Sequence, residues 1–235
     1  DDFTLIGTTD RPHDDPSVAP EASEEEIVYL LNAVNEYFER DLIREDVVWT
    51  YSGVRPLVDD HEADASDVTR DYVLRLQAEG GAPMLSVLGG KLTTYRVLAE
   101  DALEQLAPLL GNHAQRCTHD ATLPGGDFPV DGFARLAKRY ARHWPWLGDV
   151  TAARYARAYG TRTERLMEGA YGEDDMGRSF GAGLTEREAR YLVQEEFAGT
   201  AEDILWRRSK LGLHMSETER TEFAQWMETS RFAPN

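Results

Sequence analysis

Residues Pro83-Met84-Leu85-Ser86-Val87-Leu88-Gly89-Gly90-Lys91-Leu92-Thr93-Thr94-Tyr95-Arg96 constrain the fold more than any other stretch, because two glycines there join a strand pattern to a helix pattern. Met84 to Leu88, interrupted only by Ser86, predicts a buried strand. From Leu92 the apolar positions recur at Tyr95, Leu98, Ala99, Ala102, Leu103 and Leu106, one face of a helix expected to end before Pro108 and Gly111. The glycine pair permits a tight turn and a close approach of backbone to a ligand. At the start of a helix such a turn aims free N–H groups and the positive end of the dipole beyond the strand, a favourable place for an anion. Lys91 is out of place in that first turn by a few tenths to about 1 kcal/mol unless something offsets it. It is also one of only three lysines, with Lys138 and Lys210, in a chain that otherwise uses arginine. An ordinary strand-to-helix turn with a solvated lysine fits the pattern as well.

The residues before this stretch alternate between strand and loop signals. Phe3 to Ile6 predicts a short strand ending in the polar cluster Gly7-Thr8-Thr9-Asp10, and Arg11 to Pro20 an exposed irregular loop. Ser23 and Glu26 form a capping-box pattern, with Ile27, Leu30, Leu31, Val34 and Phe38 on one helical face behind it. The segment Asp46 to Leu57 begins as a β-branched and aromatic strand, Val47 to Ser52, and breaks at Gly53 and Pro56. Arg55 lies in that break, and the following proline holds it in extended geometry, a good mounting for a fixed charge. A surface pairing with Asp59 or Asp60 is the plainer alternative. His61 to Asp67 reads as an acidic loop, and Thr69 to Leu76 as a half-buried strand turned back by Glu79-Gly80-Gly81 into the Met84 strand.

Beyond Gly111 the periodicity is helical throughout. Phe133, Leu136, Ala137 and Tyr140 share a face; Thr185 with Glu188 and Ser216 with Glu219 are two further capping boxes; Thr200 begins a helix carrying Ile204, Leu205 and Trp206. Charge divides the chain at the same place. Residues 1–110 hold 24 Asp and Glu against 8 Lys and Arg, and residues 111–235 hold 19 against 17. Two units are therefore expected, 1–110 and 111–235, with an α+β front and an all-α tail. The net charge of −18 argues against a nucleic-acid surface, and a single cysteine, Cys117, excludes an internal disulfide. No apolar run reaches the roughly 18 residues of a membrane span. Because strand-like residues stand directly after Asp1, the first residues read as the middle of a domain and the chain as a fragment. Its strands are then expected to present open edges that invite self-association.

Several catalytic patterns fail. His113, Cys117 and His119 lack a nearby fourth ligand for a metal, and Glu173-Asp174-Asp175 lacks the alternating ligands of a calcium loop and reads as a solvated turn. No Walker loop, nucleophile elbow or zinc-protease motif occurs, and no G-x-G-x-x-G follows a strand.

The segments Leu5 to Asp10, Trp49 to Leu57, Thr69 to Tyr72 and Leu88 to Arg96 together resemble the FAD-dependent, respiratory glycerol-3-phosphate dehydrogenases. The likeness continues through Leu123-Pro124-Gly125-Gly126, Tyr155 to Gly160 and Leu205 to Lys210, in the family's order. It implies the C-terminal half of a flavoenzyme, inactive alone: remnant strands of an FAD- and substrate-binding α/β domain followed by an all-α cap. The missing N-terminal half would be its partner and would carry the FAD fingerprint and a catalytic histidine. The implied reaction oxidises sn-glycerol 3-phosphate to dihydroxyacetone phosphate, passing electrons to quinone at the inner-membrane surface of a cytoplasmic protein, with a homo-oligomer among the assemblies the resemblance allows and no role for nucleic acid. An oxidase using oxygen and a helical module with a vestigial site are alternatives.

On the same resemblance, Gly89, Gly90, Lys91, Leu92 and Thr93 are expected to contact the flavin, the turn placing positive potential where the reduced ring gathers charge. Arg55 and Lys91 are the expected catalytic groups and, with Thr94, the substrate contacts; Thr8, Thr9 and Asp10 are candidates for the pocket border. Arg157, Arg207, Arg208 and Lys210 could pair with acids of the front, or belong to a mixed surface.

Overall fold

The first local commitment of the chain is also its cleanest. In the computed structural model, which describes residues 3–15, 17–58, 70–111 and 115–230, helix α1 runs from Glu24 to Asn35 behind a complete capping box. Ser23 accepts from the Glu26 N–H at 3.3 Å and the Glu26 carboxylate accepts from the Ser23 N–H at 3.0 Å. Ile27 and Leu31 are buried on its inner face, while Phe38 lies past the last turn and is exposed.

Strands β1, Tyr72–Gln77, and β2, Met84–Gly89, form the antiparallel hairpin that the glycine turn predicted, in register from Tyr72 opposite Gly89 to Gln77 opposite Met84. The strand at Met84 was expected to be buried, yet Met84 and Val87 are exposed, since β1 is its only strand neighbour among the described residues. Gly89 and Gly90 follow at φ +67° and +91°. A 3-10 turn over Leu92–Thr94 comes first, then α2, Tyr95–Leu110. The helix was expected to stop before Pro108. It continues through that proline for one more turn and ends on Gly111 at φ 61°, because a proline near the end removes one intrahelical bond without blocking the residues after it.

Two predicted strands, Phe3 to Ile6 and Val47 to Ser52, are irregular backbone instead, and Arg44–Asp46 before the second is a 3-10 turn. A strand persists only where a second one takes up its N–H and C=O groups, and among the described residues the only ladders are the two hairpins. Trp49 and Tyr51 retain the side-by-side placement of an extended chain, with rings stacked 5.0 Å apart. The acidic loop His61 to Asp67, Thr69, the proposed Arg55 partners Asp59 and Asp60, and His113 lie outside the described residues.

The chain separates into two compact units, Asp1–Ala121 and Thr122–Asn235. The second is helical and holds nearly all of the buried apolar side chains. Helices α3, Phe133–His143, and α4, Asp149–Tyr159, lie against each other with Leu136, Tyr140, Ala152, Tyr155 and Ala156 buried between them. The short α5, Thr163–Leu166, leads to a small ribbon absent from the sequence reading of the tail, β3, Ser179–Gly181, with β4, Leu184–Thr185. Its two short strands lie within and just after the glycine-rich stretch Gly177 to Gly183 and are too brief to show a two-residue period. Helix α6, Glu186–Glu195, a π-helical turn over Asp203–Arg208, and α7, Glu217–Thr229, complete the unit. Phe180 of the ribbon is packed by Phe223 and Trp226 of α7, ring centroids 4.9 and 4.8 Å away.

Ser216 and Glu219 close a full capping box on α7. At α6 only half of the expected box forms: Thr185 caps the Glu188 N–H at 3.3 Å, while the Glu188 carboxylate turns into the core. There it accepts from both terminal guanidinium nitrogens of Arg154, at 2.6 and 2.7 Å, and from the Tyr159 hydroxyl at 2.5 Å, with no exposure of its own. Arg154 also reaches the Gly183 carbonyl at 2.8 Å, so one buried carboxylate ties α4, α6 and the ribbon together.

Candidate active site

The first unit gathers its polar groups where irregular segments meet the glycine bend. The segment Thr8 to Arg11 is fastened to the start of α1 on both sides of Asp10. Thr9 donates to the Glu26 carboxylate at 2.6 Å, and Arg11 reaches the Ser23 hydroxyl at 3.4 Å. The bond from Thr9, together with those from Ser23, holds the Glu26 carboxyl down at about 2.

Asp10 is thereby set between two cations. Its Oδ2 atom accepts from Arg55 Nη1 at 2.5 Å and lies 3.5 Å from Arg70 Nη2, with all three side chains partly exposed. Arg55 sits in a tight turn closed by the Leu57 N–H on the Arg55 carbonyl at 2.9 Å, consistent with the stiffening expected from Pro56. Arg70 precedes β1.

Both arginine segments run past the glycine bend. A methyl group placed on Gly89 would come within 3.0 Å of the Val58 side chain and 3.2 Å of the Asp71 carbonyl; one placed on Gly90 would be 2.9 Å from the Tyr72 Cβ. Glycine is required at both positions twice over, by its positive φ and by crowding. The bend thus brings Lys91 into the neighbourhood of the segments that carry Arg55 and Arg70. Lys91 and Leu92 are exposed, and the Lys91 ammonium has no ion-pair partner among the described residues. Nor do the N–H groups of Gly90, Lys91 and Leu92 donate to other backbone groups there. Thr94 folds back on itself, its hydroxyl donating to the Lys91 carbonyl at 2.8 Å, and Thr93 is exposed. Three N–H groups at the mouth of a helix with no backbone acceptor among the described residues, beside an ammonium with no ion-pair partner among them, fit the electron-rich edge of a flavin. Arg70 was missed from sequence because it reads as one more residue of the half-buried strand Thr69 to Leu76; its position before β1, next to the Asp71 carbonyl that packs on Gly89, is visible only in the fold.

Other candidate groups are engaged elsewhere. Cys117 is exposed, His119 pairs with Asp120 at 2.8 Å, and no cluster of metal-binding side chains occurs among the described residues. The acidic triplet at Glu173 is a 3-10 turn in which Asp175 accepts from the Tyr171 and Gly172 N–H groups. Of the tail cations, Arg207 pairs with Asp203 at 3.0 Å, Arg208 reaches the Glu196 carbonyl, and Arg157 lies over the Phe133 ring. In the second unit the glycines of Leu123 to Gly126 serve packing, with Gly125 accepting from the Thr161 N–H at 3.0 Å beside Gly160 at φ +53°.

Comparison with known proteins gives these features a class. Residues 1–96 match the family described as FAD dependent oxidoreductase, and residues 116–228 match the C-terminal domain of alpha-glycerophosphate oxidase. The chain is 46% identical over 230 residues to a glycerol-3-phosphate dehydrogenase of Pseudomonas aeruginosa, covering 97% of this chain and 45% of that protein. It is 44% identical over 228 residues to the aerobic glycerol-3-phosphate dehydrogenase of Escherichia coli, covering 97% and 45%. It is also 44% identical over 229 residues to a D-erythritol 1-phosphate dehydrogenase of Brucella abortus, covering 97% and 46%. The chain belongs to the family of FAD-dependent glycerol-3-phosphate dehydrogenases, and it spans about half the length of the curated relatives it matches.

Proposed function

We propose that this chain is the C-terminal part of an FAD-dependent dehydrogenase that oxidises sn-glycerol 3-phosphate to dihydroxyacetone phosphate and delivers the electrons to quinone. The observation that carries this reading is the meeting of Arg55 and Arg70 on Asp10, in segments that pack on the Gly89–Gly90 bend. FAD, when bound, supplies the two-electron acceptor for oxidation of the secondary alcohol.

The chain's own residues do the rest. Arg55 and Arg70 bind the phosphate, a task suited to planar, permanently charged groups with several donors. Lys91 is a compact charge that orients the substrate oxygen at the bend. The N–H groups of Gly90, Lys91 and Leu92 and the start of the helix supply fixed positive potential, already oriented before electrons move. Gly89 and Gly90 hold that backbone close, and Thr93 and Thr94 line its first turn. Preorganisation matters because donors that need not reorient during the reaction lower its barrier.

The likeness to a D-erythritol 1-phosphate dehydrogenase supports a second reading, in which a longer polyol phosphate is the substrate; the phosphate-binding groups serve both. The match of the tail to an oxidase domain keeps oxygen as a rival acceptor. No helix among the described residues is long and apolar enough to cross a membrane. Anaerobic titration of the full-length, FAD-loaded protein tests the proposal. Glycerol 3-phosphate should bleach the visible flavin absorbance, and a quinone analogue should restore it. Bleaching by erythritol 1-phosphate alone would move the substrate assignment, peroxide formation in air would favour the oxidase, and no bleaching by either polyol phosphate would refute the reading.

A further inference from the structure

Two guanidinium groups aimed at one place repel each other, and an arrangement that holds them together needs a fixed counter-charge. Asp10 has the properties of such a charge. One of its oxygens faces both Arg55, at 2.5 Å, and Arg70, at 3.5 Å. Its own position is set from both sides, by Thr9 on Glu26 and by Arg11 on Ser23, at the most regular helix start of the first unit. The arginines come from two other segments, a turn at Pro56 and the entry to β1, with no ladder between them among the described residues.

We infer that Asp10 is a positioning residue for substrate: it sets the spacing of Arg55 and Arg70 so that the pair accepts a phosphate monoester, while making no contact with the reacting carbon. This rests on the proposed function and deepens it. A phosphate dianion has more acceptor oxygens than a carboxylate, so it can engage the remaining N–H groups of both arginines while Asp10 keeps its hold. Substituting Asp10 therefore affects only ligands that carry phosphate.

The test uses the full-length, FAD-loaded enzyme with Asp10→Ala and the near-isosteric Asp10→Asn. Loss of alignment should raise KM for glycerol 3-phosphate about tenfold in Asp10→Ala, with kcat changed less than about threefold. Inhibition by inorganic phosphate should weaken in parallel, and weak inhibition by glycerol, which lacks the phosphate, should stay as it was. Binding of inorganic phosphate, followed without turnover by phosphorus NMR line width, should weaken in both variants, less in Asp10→Asn because an acceptor oxygen remains. An unchanged KM would overturn the inference. So would a lowered KM, which would make Asp10 a competitor of phosphate, or equal changes for phosphate and glycerol, which would mark a structural role. Arg55→Ala and Arg70→Ala separate this from the parent reading: if they raise KM and Asp10→Ala does not, only the role of Asp10 falls. If none of them does, the phosphate site itself is elsewhere.

Discussion

Gly90 shows how narrowly single residues are specified around the bend. At φ +91° and with the Tyr72 Cβ 2.9 Å from where its own would lie, Gly90→Ala should destabilise the first unit by about 1–3 kcal/mol, the range for strained backbone. Chemical denaturation of the variant checks this, and a change within experimental error would mean that the bend is looser than described. Glu188 is the counterpart in the second unit. Its carboxylate has no exposure and holds Arg154 through both nitrogens. Burial works against the charge on Arg154, but the bonds and charge of Glu188 outweigh it and raise its pKa; burial first, then the same carboxylate, push the Tyr159 hydroxyl upward. Removing one partner of a buried pair strands the other, so Glu188→Ala should cost about 3–5 kcal/mol. Replacing both Arg154 and Glu188 with apolar residues of similar size should cost less than the single change, and a thermodynamic cycle of the three variants measures it.

Elements defined by local rules were legible in the sequence, and those defined by distant partners were not. The capping boxes at Ser23 and Ser216 were readable because both members lie within one turn. The third, at Thr185, was half right: Glu188 was read as a cap because it lies three residues on, while its partner Arg154 is 34 positions away. Likewise the hairpin of β1 and β2 was legible from its glycine turn, whereas Phe3 to Ile6 and Val47 to Ser52 carry the composition of strands but join no ladder among the described residues. At the candidate site, Lys91 and Arg55 stood out from glycine and proline context, but the contacts of Arg55 and Arg70 with Asp10 join residues 45 and 60 positions apart. The cap of α1 also has a pH signature. With the Glu26 carboxyl held near 2 by Thr9 and then Ser23, against an ordinary 4.5, the unfolded chain binds the proton more readily. Its contribution is therefore complete above about pH 4.5 and is lost as pH falls toward about 2. Thermal melts of Glu26→Gln and the parent should differ most above that window and converge at its acid end.

At the scale of the molecule, the two units differ in how they are held. The second contains most of the buried apolar side chains, Tyr140, Tyr155, Leu192, Ile204 and Phe223 among them, whereas α2 of the first unit buries none of its residues fully. Stability follows buried apolar surface. In hydrogen exchange on this chain, amides of α3, α4 and α6 should be protected far longer than those of α2 and the β1–β2 hairpin, and equal protection would contradict this division. The site thus stands on the less self-sufficient unit, consistent with a chain spanning about half the length of its relatives. The proposed chemistry depends on charges brought together from Arg55, Arg70 and the Gly89–Lys91 bend. The most direct measurement is kcat/KM for glycerol 3-phosphate in the full-length, FAD-loaded enzyme carrying Arg55→Ala or Lys91→Ala. Loss of a charge-assisted contact of roughly 1.5 to 3 kcal/mol predicts a fall of at least about tenfold for each, and a smaller fall in both would contradict the assignment of the bend and its arginines as the active site.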